Sequence, residues 1–126
     1  MSKVIINTDE APEPIGPYSQ SVLTNNTLYV SGQIPLDPET GNIINDSIES
    51  ETERVMQNIG KILRAAGYSF DNVVKCSIFV KDLGNFSRIN EVYGKYFDVA
   101  PPARETVEVS RLPKDVNVEI SCIATK

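Results

Sequence analysis

Between residues 50 and 66 apolar side chains recur every three or four positions. Val55, Met56, Ile59, Ile62, Leu63 and Ala66 form one stripe, the pattern of an amphipathic helix. Ser50-Glu51-Thr52-Glu53 ahead of the stripe fits a capping box, and Gly67 behind it suits a left-handed cap. A second helical period, Phe86, Ile89, Val92, Tyr93, Tyr96 and Phe97, predicts a helix from residue 85 or 86 to 97. Gly94 inside it costs about 1 kcal/mol relative to alanine, so packing must hold this helix. Pro101-Pro102 forbid its continuation. The aromatic stripe follows helical geometry and reads as core, not as a base-stacking platform.

Elsewhere the apolar positions alternate with period two. Residues 3–7 read as a short strand, and 18–24 with 27–31 as two strands turned at Asn25-Asn26, since asparagine tolerates positive φ. Residues 11–17 hold three prolines and a glycine and form a structured loop, and residues 37–45 a second one. Residues 73–81 make a strand with Val74, Cys76, Ile78 and Val80 on one face. The stretch 101–119, PPARETVEVSRLPKDVNVE, predicts two more strands. Arg104, Thr106, Glu108 and Ser110 share one face of the first, and Val107 and Val109 take the other, core-like face. In the second, Val116, Val118, Ile120 and Cys122 alternate with Asn117, Glu119 and Ser121. The Leu-Pro-Lys-Asp link between them reads as a tight turn that brings the chain back as a hairpin.

Three strands, helix, strand, helix, two strands is an α+β order. It predicts one domain over residues 1–126, with two helices on one face of a mixed sheet. The other face carries small and polar residues, which suits burial against a partner subunit.

Composition narrows the function classes. The net charge of -5 and pI near 4.7 disfavour a nucleic-acid partner, whose affinity rests on clustered Lys and Arg. No apolar run approaches the roughly 20 residues of a membrane span, and the start MSKVIINTDE resembles neither a signal nor a transit peptide. A cytoplasmic protein is the expectation. Cys76 and Cys122 both lie in apolar strand patterns and read as buried free thiols. Histidine is absent, which removes imidazole as base or ligand, and two separated cysteines make no zinc site. No Gly-rich nucleotide loop or nucleophile elbow occurs. Chemistry is left to carboxylates, arginine, tyrosine, hydroxyls and backbone groups.

Four segments together, GPYSQ at 16–20, SGQIP at 31–35, VKCSIFVKDL at 74–83 and PPAR…VEVSRLPKDVNVEI at 101–120, resemble the RidA (YjgF-type) family of reactive-intermediate deaminases. They occur in the family's order and span essentially the whole chain. The resemblance implies a chorismate-mutase-like sheet of about six strands and a homotrimer with clefts between neighbouring subunits. The implied activity is cofactor-free and metal-free hydrolysis of 2-imino acids, chiefly 2-iminobutanoate and 2-iminopropanoate, to 2-oxo acids and ammonia. Such imines are released by pyridoxal-phosphate enzymes.

The residues at the family's positions suit that task. A guanidinium offers two parallel donors to a carboxylate, so Arg104 is the expected clamp and Tyr18 a second donor. With no histidine, Glu119 is the candidate to position and deprotonate the attacking water. The amide of Thr106 and the backbone at Gly32, where the missing Cβ lets a ligand approach, are expected to border the pocket; Asn90, within a motif region, is a suggested further substrate contact. If 104–119 is a hairpin, Arg104 lies roughly 13 Å along the strand from the residue facing Glu119, so a small ligand needs both groups from two subunits. Relatives often carry cysteine where Thr106 stands and a small residue where Glu105 stands. Alternation turns Glu105 away from Arg104. Without the resemblance, Tyr18 reads as a packing residue and Glu119 as a solvated carboxylate. Two other functions stay open: sensing of a 2-oxo acid without turnover, and RNA cleavage, which the acidic charge and missing histidine oppose.

Overall fold

The computed structural model describes residues 2–126. Six strands form one mixed sheet: β1 (Val4–Ile6), β2 (Ser21–Thr24), β3 (Thr27–Gln33), β4 (Val73–Val80), β5 (Ala103–Glu108) and β6 (Val118–Thr125). Their spatial order is β1-β2-β3-β6-β4-β5, antiparallel except for the parallel β4–β5 pair. Helices α1 (Ile48–Ala65) and α2 (Phe86–Gly94) cover one face. The core between them joins Val55, Met56, Ile59, Ile62 and Leu63 of α1 to Leu28, Cys76, Ile78, Ile120 and Cys122 of the sheet. Both thiols are free and buried.

Local chemistry explains most boundaries. Asn25 and Asn26 both take positive φ, 48° and 64°, and close the β2–β3 turn as expected. Gly67 (φ +79°) ends α1, its N–H on the Arg64 carbonyl at 2.9 Å. The N-terminal cap falls one turn earlier than the sequence suggests. Ser47 accepts the Ser50 amide at 3.0 Å and the Ser50 hydroxyl accepts the Ser47 amide at 3.0 Å, a reciprocal box built from two serines. Glu53 is thereby released to accept the Tyr96 hydroxyl. Helix α2 stops at Gly94, short of Phe97, and the chain closes with three-residue turns, Tyr96 N–H to Tyr93 and Phe97 N–H to Gly94. Tyr96 and Phe97 still pack on the core through Phe70.

Three sequence expectations about strands are corrected. Val74 is exposed and Val73 buried, because the β4–β6 register shifts between Val73 and Lys75. The expected β5–β6 hairpin does not form. Strand β4 lies between them, its VVKCSIFV pattern paired on both sides, while the polar ARETVE takes the sheet edge. The link through Pro113–Asp115, with Lys114 and Asp115 at positive φ, instead crosses the end of β4. Val109 donates to the Val80 carbonyl at 2.8 Å and Lys81 to that of Asn117 at 3.1 Å on the way. Lastly, Val107 does not face the core. It pairs with Phe79 on the sheet's uncovered face and is 40% exposed, while Val109 joins a small second cluster with Ile34, Leu112 and Val116.

Candidate functional site

Strand registers fix which way each candidate points. Cys76, Ile78 and Val80 of β4 face the helices, so their β5 partners Arg104, Thr106 and Glu108 do too. Phe79 faces the other way, and so does Glu119, its partner on β6. The candidate residues therefore fall into two groups, on the two faces of one sheet.

The first group surrounds Glu119 on the uncovered face. A cleft of about 330 Å³ is lined by Ile15, Tyr18, Ser31, Gly32, Ile34, Pro113 and Glu119. Gly32 sits in an irregularity of β3 between Val30 and Gln33, where pairing to β6 is interrupted. A Cβ there would lie 2.9 Å from Glu119 Cδ. The space left by the missing side chain is thus taken by the Glu119 carboxylate, where the sequence reading reserved it for a ligand. Half-burial pushes the Glu119 carboxyl above the usual carboxylate range, and no cation is paired with it among the described residues.

Tyr18 enters the cleft from the proline-rich loop, ahead of β2 and not within it. Its hydroxyl accepts the Ile15 amide at 3.2 Å, and the ring is 49% exposed. Gln20, 3% exposed, ties that loop down. Its Oε1 accepts the Thr8 amide at 2.8 Å, and its Nε2 donates to the carbonyls of Thr8 (3.0 Å), Ala11 (3.3 Å) and Pro12 (2.9 Å). Sequence reasoning gave Gln20 no role. Its only signal was a long amide beside a loop whose prolines cannot donate hydrogen bonds.

On the far side of the cleft, Pro113 belongs to the crossing link, and the link is anchored by Glu51. This carboxylate is 1% exposed and accepts the Asn117 amide (3.1 Å) and Asn117 Nδ2 (2.6 Å). Glu51 was missed as well, since in sequence it reads as part of a helix cap.

The second group lies under α2 at the β5 edge. The Arg104 guanidinium stands over the Tyr93 ring at 4.9 Å and the Phe86 ring at 5.5 Å. Phe86, Asn90 and Tyr93 share one stripe of α2 by their spacing. Asn90 Oδ1, Thr106 Oγ1 and the Tyr93 hydroxyl are all buried without a hydrogen-bond partner. Val109 donates to β4, so alternation along β5 turns the Thr106 amide outward from the sheet edge. Glu105 points to the opposite face, where it accepts Ser77 and pairs with Lys75 at 2.9 Å. Arg104 thus keeps its charge free of carboxylates, as alternation implied.

Within one chain the two groups stay apart. Arg104 pairs with Cys76 and Glu119 with Phe79, three residues farther along β4 and one strand to its other side. Their Cα atoms are about 14 Å apart, by strand rise and spacing. The structure brings Tyr18, Gly32 and Glu119 together, and Arg104, Thr106 and Asn90 together, and does not join the two sets. Among the described residues no three His, Cys, Asp or Glu side chains are grouped to hold a metal ion, and no helix is long and apolar enough to cross a membrane.

A fold of this form recurs in known proteins. The profile of the family described as Endoribonuclease L-PSP matches residues 8–126, and the chain belongs to this family, which is the YjgF/RidA family. It is 56% identical over 124 residues to a RutC family protein of Saccharolobus solfataricus, covering 98% of both chains. It is 44% identical over 125 residues to the chloroplastic Reactive Intermediate Deaminase A of Arabidopsis thaliana, covering 99% of this chain and 67% of that one. The crystal structure of E. coli TdcF with bound serine superposes with a TM-score of 0.94 at 42% identity, covering 98% of each chain.

Proposed function

We propose that this protein hydrolyses reactive 2-imino acids, 2-iminobutanoate and 2-iminopropanoate, to the 2-oxo acids and ammonia, as a homotrimer whose clefts join two subunits. The observation that carries the proposal is the half-buried Glu119 carboxylate, raised in pKa and unpaired, in a cleft with Tyr18 and Gly32. A carboxylate made more basic by burial suits proton transfer from water. The relative named Reactive Intermediate Deaminase A and the serine bound to TdcF support the class of reaction and the size of ligand.

In this reading Arg104 of one subunit reaches the Glu119 cleft of its neighbour, because one chain holds them on opposite faces. Arg104 and the outward Thr106 amide bind the substrate carboxylate, with the Tyr18 phenol as a further donor. Asn90 lines the Arg104 side. Glu119 orients a water and takes its proton as the oxygen bonds to C2 and the C=N π electrons move to nitrogen, and it then passes that proton to the nitrogen. In the collapse the adduct's hydroxyl proton travels through Glu119 to the leaving nitrogen as C=O forms and C–N breaks, releasing ammonia. One water is consumed per imine. The uncovered sheet face, with Ile5 and Tyr29 exposed, supplies apolar surface for assembly.

The test generates imine from threonine with threonine dehydratase and traps survivors with semicarbazide. Less trapped imine with the wild-type protein, and no such effect with Arg104→Ala or Glu119→Gln, is the expected result. Binding of 2-oxobutanoate without any change in the trapped fraction would favour a sensing protein instead. Light scattering checks the assembly, and a stable monomer would remove the shared cleft.

A further inference from the structure

Arg104 is held against aromatic rings. Its guanidinium lies over Tyr93 and Phe86, residues about two turns apart on α2, and no carboxylate is paired with it among the described residues. The acids nearest in sequence are all occupied elsewhere. Glu105 is drawn to the uncovered face by Ser77 and Lys75, and Glu108 accepts the Leu83 amide at 2.9 Å. Across α2, Arg88 takes up Glu49 at 2.7 Å.

We propose that Phe86 and Tyr93 are positioning residues for ligand binding, forming an uncharged cradle that fixes the Arg104 guanidinium while leaving its charge available to an anion. This deepens the proposed function and rests on Arg104 as the carboxylate clamp. A carboxylate neighbour would order the same side chain but would compete with the substrate for its donors. Ring faces attract the cation through their quadrupole and leave the in-plane N–H groups unused, so those donors can take a ligand carboxylate in bidentate fashion. Ordering the long arginine beforehand also removes side-chain entropy loss from the binding step. The Tyr93 ring, 6% exposed, is fixed by the core and by Phe97 at 4.9 Å, whereas Phe86 is 42% exposed. The cradle therefore has a rigid floor and an accessible rim.

The test measures 2-oxobutanoate affinity by titration calorimetry, together with KM and kcat for imine hydrolysis. The variants are Phe86→Leu, Tyr93→Leu, Tyr93→Phe and Arg104→Ala, each checked for folding and assembly by melting and light scattering. Phe86→Leu and Tyr93→Leu are expected to weaken affinity and raise KM by about two- to thirty-fold, with kcat within about two-fold. Tyr93→Phe keeps the ring and should bind as wild type. Phe86→Leu is the decisive variant, because its exposed position makes misfolding no explanation. Unchanged affinity in Phe86→Leu, beside loss of binding in Arg104→Ala, would overturn the cradle and leave the clamp intact. Unchanged affinity in Arg104→Ala would overturn both.

Discussion

Arg104 and Glu119 stand on opposite faces of the same sheet, two strands apart and three residues out of step along β4. Each is half-buried without an opposite charge beside it. Half-buried charges without partners are costly, and they persist where a ligand or a neighbouring molecule supplies the missing interaction. On the proposed roles, one chain cannot bring both groups to one small acid.

The pH dependence should report Glu119. Burial raises its pKa, so the carboxylate form needed to take a proton from water is present above that raised value and lost as pH falls through it. The expected acid limb of kcat/KM lies above the ordinary carboxylate range and disappears in Glu119→Gln along with most of the activity. Because the charged form is the one that burial penalises, Glu119→Gln should melt no lower than wild type at pH 8. A lower melting temperature there would show that the carboxylate supports the fold.

Gly32→Ala should act through Glu119. The added methyl meets the carboxylate and displaces it from the cleft, costing about 1–3 kcal/mol of stability by overpacking. Activity is expected to fall at least ten-fold while the circular dichroism spectrum is kept. Wild-type turnover by the variant would show that Glu119 can move aside without losing its role.

Glu51 holds the entry to β6 from inside the protein. Glu51→Ala leaves the Asn117 amide and side chain without acceptors at a buried site, for an expected loss of about 3 kcal/mol in urea unfolding. A loss under 1 kcal/mol would mean that water replaces the carboxylate.

Gln20→Leu should loosen the proline-rich loop, because three carbonyls and one amide lose their partner together. Faster proteolysis within residues 8–17 and a raised KM are expected, since Tyr18 sits on that loop. Unaltered proteolysis would place the loop's stability in its prolines.

Much of this molecule was legible in the chain. The 3.6-residue stripe from Val55 to Ala66, the Asn25-Asn26 turn and the stop at Gly67 depend on local sterics and periodicity, which act the same way in any fold. Alternation also placed Glu105 opposite Arg104 and put Cys76, Ile78 and Val80 on one face, and the motif segments carried the family. Alternation, however, tells which residues share a face and not which face is covered or which strand is next door. That is why Val107 reads as core and β5 as half of a hairpin with β6 in the sequence. Only the folded sheet inserts β4 between them, seats α2 over Arg104 and leaves Val107 outside. The same long-range packing decides that the cavity at Gly32 is filled by a carboxylate 87 residues away, that Glu51 is a brace and not a cap, and that Tyr93 and Phe86 meet an arginine. Such contacts join residues far apart in the chain, and their energy exists only once the sheet order has been chosen.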